Sequence, residues 1–192
     1  MKTPSNRSLP KGFTLIELLV VIAIIAVLAS AGFAVGPAMM NKAKRLSAQA
    51  TATAIANSVE QFYTDYSALP DPGSTSADTE FTSSDAALLD ILAGGTKATS
   101  ISQNPRKIRY LSVKEAKNGL DGAVYTGTSI DKIVDPFGKP YYIVLDYDYD
   151  ERLTLNPGGT GSVTLNGRRV AVYSHGVRGT DIITTKTLAK SW

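Results

Sequence analysis

The chain has 192 residues, of which 43% are hydrophobic and 19% charged, and it has no cysteine. That size and apolar content suit one modest domain plus a membrane segment, exclude wholesale disorder, and rule out disulfides, thiolate metal sites and a cysteine nucleophile. The net charge of +3 is carried by the tip: without Lys2, Arg7 and Lys11 the Lys+Arg count falls from 20 to 17 and equals the 17 Asp+Glu, so nucleic acid is not expected as a partner.

Residues 1–12, "MKTPSNRSLPKG", are polar and basic, and no charged residue occurs from Leu18 to Gly36. A helix of that length can cross a hydrocarbon core of about 30 Å at about 1.5 Å per residue. Basic residues ahead of it place the N-terminus on the cytoplasmic side and everything after Pro37 outside the inner membrane. The run admits three readings. "ASA" at Ala29–Ala31 is a small-x-small site of the sort cut in a secretory signal peptide. The same run would also serve as an uncleaved anchor. Both readings leave Glu17 unexplained, because a carboxylate at membrane depth costs about 2.5–3.5 kcal/mol on insertion scales and marks function.

The third reading gives Glu17 a purpose. "KGFTLIELLVVIAIIAVLAS", Lys11 to Ser30, resembles the type III signal of type IV pilins and type II secretion pseudopilins. The resemblance implies that a prepilin peptidase cuts between Gly12 and Phe13 and methylates the new amine of Phe13. It also implies that Phe13 and Glu17 serve assembly. Glu17 lies one helical turn beyond that cationic amine, so the two can meet. In a filament of packed helices the better partner is the amine of a neighbouring subunit. An unpaired carboxylate is penalised in an apolar core and a paired one is not, so this pairing would set the filament's register.

Pro37 after Gly36 is expected to kink or locally melt the helix. Helical character resumes with Ala48, Ala52, Ile55, Val59, Phe62 and Tyr66 on one face and Gln49, Thr53, Asn57, Ser58 and Glu60 on the other. A helix from Phe13 to about Tyr66 would be roughly 80 Å long. "NKAKR" at Asn41–Arg45 reads as a solvated stretch near the headgroups. Pro70 and Pro72 end the helix, and "DPGSTSADTEFTSS" reads as a loop. Asp85–Ala93 is predicted as a short helix capped by Ser84 or Asp85 and stopped at Gly94-Gly95. Residues 96–107 are polar and Pro-interrupted, and Ile108–Val113 fits strand or helix equally.

"DPFGKP" at Asp135–Pro140 is a turn cluster. The following "YYIVLDYDYD" alternates, with Tyr141, Ile143, Leu145, Tyr147 and Tyr149 on one face and Tyr142, Val144, Asp146, Asp148 and Asp150 on the other. Asn166-Gly167 is a hairpin signal between "SVTL" and "RRVAVYS". An antiparallel sheet of about three or four strands follows, and the apolar stripe of the long helix can cover it.

Three further stretches resemble the major pseudopilin family: "YTDYSALP" at Tyr63–Pro70, "DPFGKPYY" at Asp135–Tyr142 and "YSHGVRG" at Tyr173–Gly179. The last two look like D-P-W-G-x-P-Y and Y-S-x-G-x-D-G. A terminal Trp192 and the lack of cysteine point the same way. That family binds calcium in its C-terminal loop. Here Arg178 stands where the family has Asp, which counts against an ion there, although Asp181 is close by.

Asp146, Asp148 and Asp150 match the start of an EF-hand loop, but Glu151 and Pro157 occupy the positions that need Gly and Glu. The three read instead as a solvated strand face. His175, the single histidine, reads as a loop residue, and "GGTGS" at Gly158–Ser162 lacks the Lys of a phosphate loop. No catalytic residue and no cofactor is expected.

The expected fold is α+β, a long N-terminal helix whose second half packs on a small antiparallel sheet, in the manner of pilins. Its parts are a leader over 1–12, a membrane and filament-core helix over 13–37, a helix extension over 38–69 and an extracytoplasmic domain over 70–192. The expected function is that of a structural subunit of a type II secretion pseudopilus, held by one inner-membrane pass with its domain in the periplasm. Its partners would be copies of itself, other pseudopilins, the prepilin peptidase, the inner-membrane secretion platform and, before assembly, lipid. A type IV pilin of a surface fibre is the alternative. A membrane-anchored binding or enzymatic domain would predict a catalytic cluster, and the sequence has none.

Overall fold

The structure, a computed structural model, describes residues 12–71, 73, 78–127, 129–157, 161–176 and 188–192, the side chains of 31–35 excepted. The chain divides into two units, Met1–Met40 and Asn41–Trp192. Helix α1, Leu15–Tyr66, has residues in both and contains Pro37. Of the two expectations at Pro37, a kink or local melting, melting is not seen: the helix continues through it, although proline has no N–H to bond the preceding turn.

In the second unit, α1 presents Ala52, Ile55, Val59 and Phe62 to a core shared with Leu88, Leu89, Ile91 and Leu92 of α2 (Ala86–Leu92) and with Ile143, Leu145, Val170 and Val172 of the sheet. The stripe expected from spacing is the buried one. Ser58 is the exception, buried rather than on the wet face. It lies three residues past Ile55, at the margin of the buried stripe, and its hydroxyl donates to the Ile55 carbonyl at 2.6 Å. Asp85 caps α2 by accepting from the amides of Ala87 and Leu88. Gly94, at φ +68°, ends the helix in the left-handed region, where a Cβ would also strike the Lys107 carbonyl. A further helix, α3 (Ala98–Gln103), lies in the stretch that reads only as polar. Ile108–Val113 is neither helix nor strand; the amides of Tyr110 and Leu111 both donate to the Leu92 carbonyl at the end of α2.

The main sheet is antiparallel in the order β1-β4-β7-β8, with β1 Thr79–Thr82, β4 Tyr141–Leu145, β7 Val170–Ser174 and β8 Ala189–Lys190. Two-stranded ladders join β2 (Gly122–Thr126) to β3 (Ser129–Val134) and β5 (Arg152–Leu155) to β6 (Val163–Asn166). The layout is α+β, as expected. One face of the main sheet lies on the helical core. The other carries Val144, Ala171 and Tyr173 against Leu153 and Leu155 of β5, with Trp192 alongside.

Three strand expectations need correcting. β1 lies inside the stretch read as a loop; with only Phe81 apolar, its strand character comes from pairing with β4. Asn166-Gly167 does not close a hairpin between β6 and β7. β6 pairs with β5, whereas β7 is buried at every residue and takes an interior place between β4 and β8, where both its faces are covered. Finally, β4 stops at Leu145, so Asp146, Asp148 and Asp150 are not a solvated strand face. The chain turns there, with Tyr149 and Glu151 at positive φ, and Asp146 is fully buried.

Candidate assembly site at the head of the long helix

The first turn of a helix has amides with no intrahelical partner. Thr14 and Glu17 supply partners reciprocally. The Glu17 amide donates to Thr14 Oγ1 at 3.3 Å, and Glu17 Oε2 accepts from the Thr14 amide at 2.8 Å and from the Thr14 hydroxyl at 2.9 Å. This is a capping box. Its sequence signature, Thr-x-x-Glu just ahead of an apolar run, is present at Thr14–Glu17 and gives Glu17 a local role that sequence reasoning missed. Both bonds to the carboxylate fall on Oε2; among the described residues no hydrogen bond reaches Oε1.

Gly12, Phe13 and Thr14 precede the helix. Phe13 is 81% exposed, and a side chain built on Gly12 would meet nothing within 4 Å. The Gly12–Phe13 peptide is thus outside the helix and open. Phe13, Ile16, Glu17, Val20 and Val21 border one surface of the helix, so the two residues expected to serve assembly lie together at its head.

From Leu18 to Leu28 the helix is apolar on every side. Leu18, Leu19, Val20, Val21, Ile22, Ile24, Ile25, Val27 and Leu28 are each at least 45% exposed. A helix apolar all round needs apolar surroundings. Among the described residues, no helix is long and apolar enough to cross a membrane. The described apolar side chains from Leu15 to Ser30 span about 24 Å at 1.5 Å per residue, short of a core of about 30 Å. Of the rest of the expected span, 31–37, the side chains of 31–35 lie outside the described residues.

Residues 7–33 match the prokaryotic N-terminal methylation motif. The match supports a signal of the type IV pilin and pseudopilin kind, and points to a structural subunit rather than an enzyme. No curated protein and no solved structure matches the chain.

Three stretches singled out in the sequence, "YTDYSALP", "DPFGKPYY" and "YSHGVRG", take part in the packing of the second unit. In "DPFGKP", buried Asp135 accepts from the amides of Phe137 and Lys139 at 2.8 and 2.7 Å, and its other oxygen accepts from the Ser174 hydroxyl of "YSHG". Two motifs far apart in sequence thereby become one turn anchor. "YTDYSALP" is held by Tyr66 Oη donating to Asn104, Tyr149 Oη accepting from the Leu69 amide, and Tyr147 Oη donating to the Pro70 carbonyl. His175 lies outside strand and helix, as read, and stacks on Tyr142 with ring centroids 4.6 Å apart. Trp192 meets Tyr173 edge-on. Arg178, Asp181 and Gly158–Thr160 lie outside the described residues, as does the leader up to Lys11.

Proposed function

We propose that this chain is a filament subunit, cut between Gly12 and Phe13, N-methylated on Phe13 and assembled through its N-terminal helix. The observation that carries the reading is an all-round apolar, exposed helix headed by a methylation motif and a single carboxylate. Copies of that helix, packed together, supply the apolar surroundings it lacks alone. The type II secretion pseudopilus is the filament we favour, because "DPFGKPYY" and "YSHG" resemble its major subunit and cysteine is absent. In that setting the helix rests in the inner membrane before assembly, and the second unit lies in the periplasm. The prepilin peptidase, the secretion platform and other pseudopilins would be the partners.

The mass of the mature N-terminal peptide, taken from cells with their own processing enzymes, tests the first step. A chain beginning at methylated Phe13 is expected. One beginning at Gly32 would mean ordinary secretion and would end the filament reading. Two variants then separate the jobs of Glu17. E17Q keeps a capping-box residue and loses the charge; T14A loses the cap and keeps the charge. Filament yield is expected to collapse in E17Q and to fall modestly in T14A.

A further inference from the structure

Three carboxylates outside the helix form a cluster that the filament reading does not use. The β1–β4 register places Thr79 opposite Leu145. One residue further along each strand brings Asp78 and Asp146 face to face, and the turn after β4 adds Asp148. Each of the three turns one carboxylate oxygen to within 4.8 Å of the other two.

The hydrogen bonds divide the oxygens cleanly. Oδ2 of Asp78 accepts from the Thr154 amide at 3.1 Å, and Oδ2 of Asp146 accepts from the Glu151 amide at 2.9 Å. Oδ1 of each is buried and has no hydrogen-bond partner, and the Asp146 side chain has no exposure at all. A buried, unsatisfied carboxylate oxygen costs the desolvation of a charge. No ion pair among the described residues offsets it: Arg169, whose backbone carbonyl accepts from the Asp146 amide, gives its guanidinium to Glu60 and Glu151 instead. The protein alone thus holds three acids together without a counter-charge.

We propose that Asp78, Asp146 and Asp148 bind a divalent cation, calcium by preference, which clamps the edge strand β1 to the turn between β4 and β5. Oxygen-only donors suit a hard cation. Calcium accepts an irregular oxygen shell at about 2.4 Å, whereas magnesium at about 2.1 Å demands a near-regular octahedron and gives up its water reluctantly. Three protein oxygens leave the remaining calcium positions to water. None of its three carboxylates comes from the C-terminal stretch around Arg178, and it does not depend on filament formation.

The test uses the full chain in detergent micelles, stripped of metal. Tyr147 and Tyr149 flank Asp148, so bound terbium should luminesce on tyrosine excitation, and calcium should quench that signal competitively. At a free calcium concentration about 100-fold above Kd, the melting temperature should rise by roughly 5–10 °C for a unit of this size. D148N, at an exposed position, should fold and lose both responses; D131N, also exposed, should keep them. D146N should lose the calcium response and melt above the metal-free parent, because it removes a repelling charge. Calcium shifts that survive in D148N, or that vanish only in D181N, would put the ion elsewhere and overturn the assignment, as would no calcium shift in the parent.

Discussion

Asp135→Ala is the substitution whose cost follows most directly from the structure. The carboxylate takes three hydrogen bonds, from the amides of Phe137 and Lys139 and from the Ser174 hydroxyl. The two amides lie in a partly exposed turn, where water can replace the lost acceptor, so each loss costs about 1 kcal/mol. Ser174 is fully buried, so its stranded hydroxyl incurs a larger desolvation cost, about 1–3 kcal/mol. The sum is roughly 3–5 kcal/mol, a large share of the roughly 5–15 kcal/mol that stabilises a typical domain. Trp192, the sole tryptophan, packs edge-on against Tyr173 of β7 with centroids 6.3 Å apart, so its fluorescence reports on the sheet that Asp135 anchors. Urea titration of the full chain in mild detergent should show the midpoint fall sharply in Asp135→Ala. Asp135→Asn keeps an acceptor for the amides and offers an NH₂ toward a serine hydroxyl that can rotate, so its cost should be about 1 kcal/mol. An alanine variant within about 1 kcal/mol of the parent, or an asparagine variant equally damaged, would refute the turn-anchor account.

Two other positions test the α2–α3 corner. A Cβ on Gly95 would sit 2.1 Å from the Asp90 carboxylate, which Ser100 and the Lys97 amide hold in place. Gly95→Ala should therefore destabilise by about 1–3 kcal/mol, read by the same titration. Asp90 itself should shape the acid limb of stability. Burial pushes its carboxyl up, but hydrogen bonds from Ser100, Ser129 and the Lys97 amide, with the Lys97 charge, outweigh burial and leave it below the usual range. A lowered folded-state value means that the stabilisation is complete above about pH 4, the unfolded value, and is lost as pH falls through the lower folded value. Asp90→Asn should flatten the acid limb in that window; an unchanged limb would show that Asp90 does not control it.

Much of the fold was legible because its periodicity is strong. The stripe from Ala48 to Phe62, the Asp85 cap and the Gly94 stop each follow from a local rule, and each lies where the rule puts it. What escaped the sequence depends on distant partners. "TEFT" is polar enough to read as loop, and becomes β1 because β4 has an open edge. Asn166-Gly167 is a sound turn signal, but the identity of the paired strand was decided by which strand needs both faces covered. The acidic alternation after Leu145 fits a wet strand by pattern alone. Only the tertiary structure brings Asp78 from an earlier loop to meet Asp146. At the helix head the reverse holds: Thr14–Glu17 is wholly local, and a capping box was readable from four residues.

That capping box bears on how one carboxylate can serve both a helix and a filament. If Glu17 spent both oxygens on its own first turn, pairing with a neighbour's amine would cost the cap. It does not: the Thr14 amide and hydroxyl share Oε2. A carboxylate offers about four acceptor positions, so Oε1 remains for a cation from outside the chain. The cap also fixes the side chain at the helix head, so less rotamer entropy is lost when a partner arrives. On the filament reading, Thr14 is therefore a positioning residue that pre-orients Glu17, and its loss should weaken assembly without abolishing it. E17Q retains the oriented side chain but offers a neighbour's amine no charge. The ranking of the two variants consequently separates pairing by charge from mere preservation of the helix start. Equal defects in T14A and E17Q would mean that the helix start is all Glu17 provides.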